Sequence, residues 1–208
     1  DDDAAKTPYL FINEDMSKMG SQLWYDTCSA TPGCNKDEIV SRIHVWQLTP
    51  DLKGFVGQPK LVIEPSQNWE AMGSLVQWAW NEAPDVIKID GIYYLIYSGN
   101  GYTTKNYALG YATATNPLGP WTKYSENPLI KQDENRAISG PGNGAFTKNL
   151  EDDEILYFYQ THIDAVAGGV DREVNIDELT FSNGIINTLA PTRTPQKLRG
   201  DLSPACQT

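Results

Sequence analysis

Basic residues, histidine and cysteine are all scarce in this chain. Sixteen Lys and Arg stand against 27 Asp and Glu among 208 residues, a formal net charge of -11. An acidic surface repels phosphate backbones, so nucleic acid is not an expected partner, and no polybasic patch draws the chain to an anionic membrane. No apolar run approaches the roughly 20 residues that span a bilayer. No basic segment followed by an apolar stretch opens the sequence, so no signal peptide is read in this form, and Asp1-Asp2-Asp3 reads as a turn from within a longer chain. The two histidines, His44 and His162, lie far from the cysteines, so a zinc-type site is not expected. Of the three cysteines, Cys28 and Cys34 bracket a Ser-Ala-Thr-Pro-Gly loop. That spacing suits a local disulfide in an oxidising compartment, the alternative being two unrelated thiols. Cys206 is left either free or paired outside the chain. A disulfide loop with few lysines points to a secreted, extracellular protein.

What is present is strand. Hydrophobic residues make up 40% of the chain and charged ones 21%, an ordinary globular composition. Segments rich in β-branched and aromatic residues predict strands at Tyr9–Ile12, Leu23–Tyr25, Ile43–Leu48, Pro59–Ile63, Asp85–Ile89 and Ile92–Tyr97. Further strands are predicted at Tyr107–Ala114, Gly144–Lys148, Ile155–His162 and Arg172–Phe181. Turn residues separate them, Asp90-Gly91 among others. Only Glu64–Trp80 resembles a helix, and its proline and paired tryptophans argue for loop or strand. The chain is predicted to be all-β.

One unit recurs: an aromatic strand, a strand of alternating character, then a Gly-containing turn. It runs from YLFI to IHVWQLTPDLKG, from GIYYLIYSG to YALGYATATNPLGPW, and from ILYFYQTH to REVNIDELTFSNG. Repeated small sheets of this kind build a β-propeller, here a single partial one with blade-like units at about 1–65, 66–130 and 131–198. An open antiparallel sandwich is the alternative. Three blades alone leave edges exposed.

Four elements then stand in order: Glu82-Ala83-Pro84, Tyr93-Tyr94-Leu95, the Tyr107–Ala112 strand, and the Pro117–Trp121 turn. Together they resemble the acid-bearing blade of glycoside hydrolase family 43, a family of five-bladed propellers. Gly140-Pro141-Gly142-Asn143 resembles the family's Gly-Pro-Gly-His turn, with Asn143 in place of His. Arg172–Leu179 resembles a strand of the last blade, and the Asp-rich start resembles the third. The resemblance thus covers the C-terminal three blades of a propeller truncated at its N-terminus. It implies an inverting hydrolase of arabinofuranosides or β-xylosides in plant-type polysaccharide, and an uncharged sugar incurs no penalty from an acidic surface.

Cleaving a glycosidic bond takes an acid for the departing oxygen and a carboxylate that activates water about 6.5–9.5 Å away. The resemblance makes Glu82 the general acid, and flanking Trp80 and Pro84 suit the partly desolvated setting that raises a carboxyl pKa. It places the general base in the missing first blade, and a second carboxylate that tunes the acid before Asp1. An N-terminal fragment or a second copy of the chain would then complete the propeller. Substrate-binding candidates are Trp80, Trp78, Arg172, Tyr107, Asn143 and His162. Trp78 and Trp80, two apart, share one strand face and read equally as sugar platforms or core. Trp69-Glu70 and Tyr102 are weaker candidates, and Asp164 and Asp171 flank a Gly168-Gly169 loop that reads first as solvated. Arg172 reads as reaching the pocket or as an edge-strand charge, and His162 as an active-site or a satisfied interior histidine. No cofactor is required; a structural Ca²⁺ near the propeller axis is conceivable, with Asn143 as a ligand through its carbonyl or as a plain turn former. A carbohydrate-binding propeller without catalysis is the competing reading.

Overall fold

The computed structural model describes residues 6–14, 40–75, 78–148, 154–187 and 190–194. Cys28, Cys34 and Cys206, the Asp-rich start and the strand expected at 23–25 lie outside them. Among the described residues the regular structure is nearly all strand, with two single-turn 3-10 helices at Asn68–Glu70 and Glu134–Arg136. No helix there is long and apolar enough to cross a membrane.

The strands form three antiparallel groups. The first holds β1 (Tyr9–Glu14), β2 (Val40–Leu48) and β3 (Phe55–Ile63), with β2 central. The second holds β4 (Ala79–Ile89), β5 (Ile92–Gly99), β6 (Ala108–Ala114) and β7 (Thr122–Lys123) in sequence order. The third holds β8 (Gly142–Lys148), β9 (Ile155–His162) and β10 (Arg172–Leu179). A small hairpin, β11 (Phe181–Ser182) with β12 (Ile185–Ile186), follows. The expected Arg172–Phe181 strand is thus broken at Thr180. β2 and β4 meet in a two-residue parallel bridge, Val40 to Ala79 and Ser41 to Trp80, which joins the first two groups.

Local chemistry explains the tight hairpins. Asp90 and Gly91 both take positive φ, 49° and 80°, and join paired Ile89 and Ile92. Asn183 and Gly184, at 52° and 77°, do the same between Ser182 and Ile185. Two consecutive positive φ values are the geometry whose twist suits a two-residue hairpin, and Asp, Asn and Gly tolerate it. Each aromatic strand of the recurring unit pairs antiparallel with the strand after it: β1 with β2, β5 with β6, β9 with β10.

Alternation along β5 builds the core on both faces of the middle group. Leu95 and Tyr97 pack with Ile43, Val45, Val62 and Ile63 of the first group. Tyr94 and Ile96 pack with Leu109, Tyr111, Tyr157 and Tyr159 towards the third. A strand buried on both faces has no need of polar alternation, which accounts for the unbroken IYYLIY. Each fully buried Leu or Ile here contributes about 1.5–3 kcal/mol.

Candidate active site

Glu82 stands on β4 at a break in the ladder. It faces Ser98 of β5, and the next regular pair is Asp85 with Ile96. Two residues, Ala83 and Pro84, therefore oppose Tyr97 alone, which is a β-bulge. Proline is tolerated at a bulge because no ladder donor is needed there. Ala83 takes the left-handed region at φ 50°, which costs a non-glycine residue about 1–2 kcal/mol. The bulge is held from the third group: Asp85 Oδ2 accepts the Phe146 amide at 2.5 Å and Oδ1 the Val86 amide at 3.1 Å. Burial nonetheless pushes the Asp85 carboxyl above its usual range, with those two amides opposing.

Behind Glu82 lie two buried hydroxyls. The Tyr107 hydroxyl donates to Glu82 Oε1 at 2.5 Å. Ser98, paired opposite Glu82, accepts the Asn143 amide on Oγ at 2.8 Å. Tyr107 is 1% exposed and Ser98 fully buried. Burial first, then the Glu82 carboxylate, pushes the Tyr107 phenol far above its usual range, with Ser98 and Arg172 opposing. Gly142 makes room for this ring, since a Cβ there would lie 1.9 Å from Tyr107 Cε1. Tyr107 therefore presents no face to a sugar; it is a buried partner of Glu82, a role that an aromatic at the head of a strand does not advertise in sequence.

On its open side Glu82 lines a cleft of about 220 Å³ with Met72, Trp80, Asn100, Gly101, Tyr102 and Thr103. Trp80 and Glu82 share a face two residues apart, as expected of a strand. Trp78 lies beside Trp80, ring centroids 6.2 Å apart, and is 49% exposed. Arg172, at the start of β10, sits 5.3 Å from the centre of the Tyr102 ring. His162 is buried beneath: its Nε2 lies 2.9 Å from the Tyr102 carbonyl and its Nδ1 3.0 Å from Ser139 Oγ. A carbonyl can only accept, so Nε2 carries a proton, and in the neutral ring Nδ1 accepts from Ser139. His162 thus supports the loop that carries Tyr102 rather than facing the cleft.

The remaining candidates fall elsewhere. Asn143 is exposed at φ 49°. Among the described residues no three His, Cys, Asp or Glu gather as a metal set. Asp164 turns inward on its own loop, accepting the Val166 and Ala167 amides at 2.8 Å each. Those amides hold its carboxyl below the usual range. Trp69 lies across the strand backbone, where a Cβ on Gly99 or on Gly110 would come within 2.6 Å of its ring.

A second polar cluster underlies the strand that carries Glu82. Glu70, with no exposed surface, accepts the Ser66 and Gln67 amides at 2.6 and 2.8 Å and the Tyr97 hydroxyl at 2.7 Å. Lys123 Nζ donates to Glu70 at 2.5 Å, to the Glu64 carbonyl at 2.6 Å and to Asn81 Oδ1 at 2.9 Å. Burial lowers the Lys123 ammonium from its usual range, with Glu70 opposing. Asn81 immediately precedes Glu82, so this ion pair pins the start of β4. No local sequence pattern announces a pair 53 residues apart.

The family model of glycosyl hydrolases family 43 matches residues 8–186. A thermostable family-43 glycoside hydrolase of known structure is 39% identical and superimposes with a TM-score of 0.80, covering 94% of this chain and 57% of that one. An endo-1,4-β-xylanase from Bacteroides thetaiotaomicron is 31% identical with a TM-score of 0.70, covering 91% and 56%. The β-D-galactofuranosidase of Aspergillus niger is 33% identical over 76 residues, 36% of this chain and 22% of that protein. The chain thus spans little more than half the length of these solved relatives.

Proposed function

Because the chain belongs to glycosyl hydrolases family 43, we propose that it carries the proton-donating part of an inverting glycosidase site, with Glu82 as general acid. The substrates would be arabinofuranosides or β-xylosides of plant-type polysaccharide, and the relatives' activities, xylanase and β-D-galactofuranosidase, set the range to test. The observation that carries this reading is Glu82 on a bulge, one face held by Tyr107 and the other lining a cleft walled by Trp80 and Tyr102. Apolar ring faces suit the C–H faces of a sugar, and Arg172 over Tyr102 fixes one wall. The base comes from outside this chain, on an N-terminal fragment or a second copy. No cofactor takes part in proton transfer of this kind. With Cys28 and Cys34 bridged, the protein works outside the cell.

The test is turnover on arabinofuranosides, β-xylosides and galactofuranosides by wild type and Glu82→Gln. Loss of a positioned acid lowers the rate by about 10²–10⁴-fold; unchanged turnover overturns the assignment. A second reading, carbohydrate binding without cleavage, draws on Glu82 being the lone carboxylate among the described residues that line the cleft. It predicts saturable oligosaccharide binding with no release of reducing sugar.

A further inference from the structure

Resting on the cleft beside Glu82 as the sugar-binding site, we propose that Asn100 is a positioning residue whose side-chain amide ties together the two segments that carry Met72 and Tyr102, and so fixes the walls between which a sugar is held. Met72 follows the 3-10 turn of Asn68–Glu70, and Tyr102 follows the end of β5. Both line the cleft and both side chains are exposed, so where each stands depends on the backbone beneath it.

Asn100 is buried between the two segments and commits its whole amide to them. Nδ2 donates to the Trp69 carbonyl at 3.0 Å and to the Ala71 carbonyl at 2.8 Å. Oδ1 accepts the Gly101 amide at 2.8 Å. The Thr104 hydroxyl shares its proton between Oδ1 at 3.1 Å and the Gly101 carbonyl at 2.9 Å. An Asn amide has two N–H groups and one oxygen with two lone pairs, so this one lines the cleft with nothing left for a ligand. Its orientation follows from its partners: turned over, its oxygen would face two carbonyl oxygens and its NH₂ the Gly101 N–H. The backbone adds a bond from the Asn100 N–H to the Glu70 carbonyl at 3.1 Å. Asn100 takes φ 74°, in the left-handed region that Asn, Asp and Gly tolerate. A Cβ on Gly101 would run into Met72 Sδ, so the two walls meet there without a gap. The turn that carries Tyr102 has its own supports. The Thr104 amide donates to the Gly101 carbonyl at 2.9 Å, and His162 holds the Tyr102 carbonyl. That turn therefore keeps its shape without Asn100, and what Asn100 adds is its register against Ala71 and Met72. Glu82 is held separately, by Tyr107 and by the bulge in β4, so a change at Asn100 reaches sugar binding and not the acid.

The experiment measures binding of xylotriose and arabinotriose by isothermal titration calorimetry to this chain as wild type, Asn100→Asp and Asn100→Gly, with the melting temperature of each. Asn100→Asp keeps the shape but sets an acceptor against two carbonyls. Asn100→Gly keeps the backbone, deletes the brace, and stands in if the aspartate variant fails to fold. Ordering the two wall residues then falls to the sugar, and Kd rises about tenfold in both variants. Where turnover is measured, the change lies in KM, with kcat within about twofold of wild type. A residue that serves stability alone lowers the melting temperature and leaves the Kd of the folded protein unchanged. That result overturns the proposal, as does a wild type that binds neither sugar at millimolar concentration. If Glu82→Gln leaves turnover intact while the Asn100 variants bind more weakly, the acid assignment falls and the brace stands.

Discussion

Replacing Lys123 with Met removes the counter-charge from a carboxylate that has no exposed surface. Glu70 keeps its bonds to the Ser66 and Gln67 amides and to the Tyr97 hydroxyl. These three donors satisfy its lone pairs but supply no net charge. Breaking one side of a buried pair costs about 3–5 kcal/mol, because the remaining ion stays in a poorly solvating site. In a chain of this size each kcal/mol moves the melting temperature by about 2–4 °C, so Lys123→Met lowers Tm by roughly 6–20 °C. The Glu70→Gln/Lys123→Met double variant recovers part of that loss, since it removes both charges. Thermal unfolding followed by circular dichroism, run as a double-mutant cycle, reads the coupling directly. A surface pair contributes at most about 1 kcal/mol and weakens with salt. A Lys123→Met loss below that value, or one abolished by raised ionic strength, would refute the reasoning.

Two further outcomes follow from the same packing. Gly142→Ala drives a methyl into the Tyr107 ring, so it destabilises by about 1–3 kcal/mol; a variant of unchanged melting temperature contradicts that close packing. Tyr97, Tyr107, Tyr157 and Tyr159 all have phenols pushed upward, chiefly by burial. Their folded pKa values exceed the unfolded one near 10, so above that pH the unfolded chain binds fewer protons and stability falls. Each contributes a slope of up to about 1.4 kcal/mol per pH unit, and together they unfold the domain over roughly pH 11–13. Tyrosinate absorbance and ellipticity should change together; gradual ionisation of all 11 tyrosines with constant ellipticity contradicts this.

The strands were legible because their signal is local. The β-branched and aromatic runs, the Asp90-Gly91 turn and the Glu-Ala-Pro triplet each occupy adjacent residues, and β5, β9 and most of β2 appear where those runs lie. What sequence could not convey depends on residues brought together by sheet stacking. Tyr107 reads as a substrate-binding candidate, but Gly142, from another strand, packs against its ring. His162 read as either an active-site or an interior residue, and its partners, Ser139 and Tyr102, lie 23 and 60 residues away. Trp69 read as a sugar-binding candidate, and only the register of β5 with β6 shows that it rests on two glycines. Thr180, β-branched and within a strand-like run, gave no sign that β10 ends before it.

Proton donation by Glu82 is tested most directly by the dependence on the leaving group. The measurement compares Glu82→Gln with wild type on a natural xylo- or arabino-oligosaccharide and on an aryl glycoside with a strongly acidic phenol. A good leaving group departs without protonation. With Glu82 as the acid, the variant therefore loses about 10²–10⁴-fold on the oligosaccharide and little on the aryl glycoside. Equal losses on both substrates, or no loss on either, would contradict Glu82 as the acid.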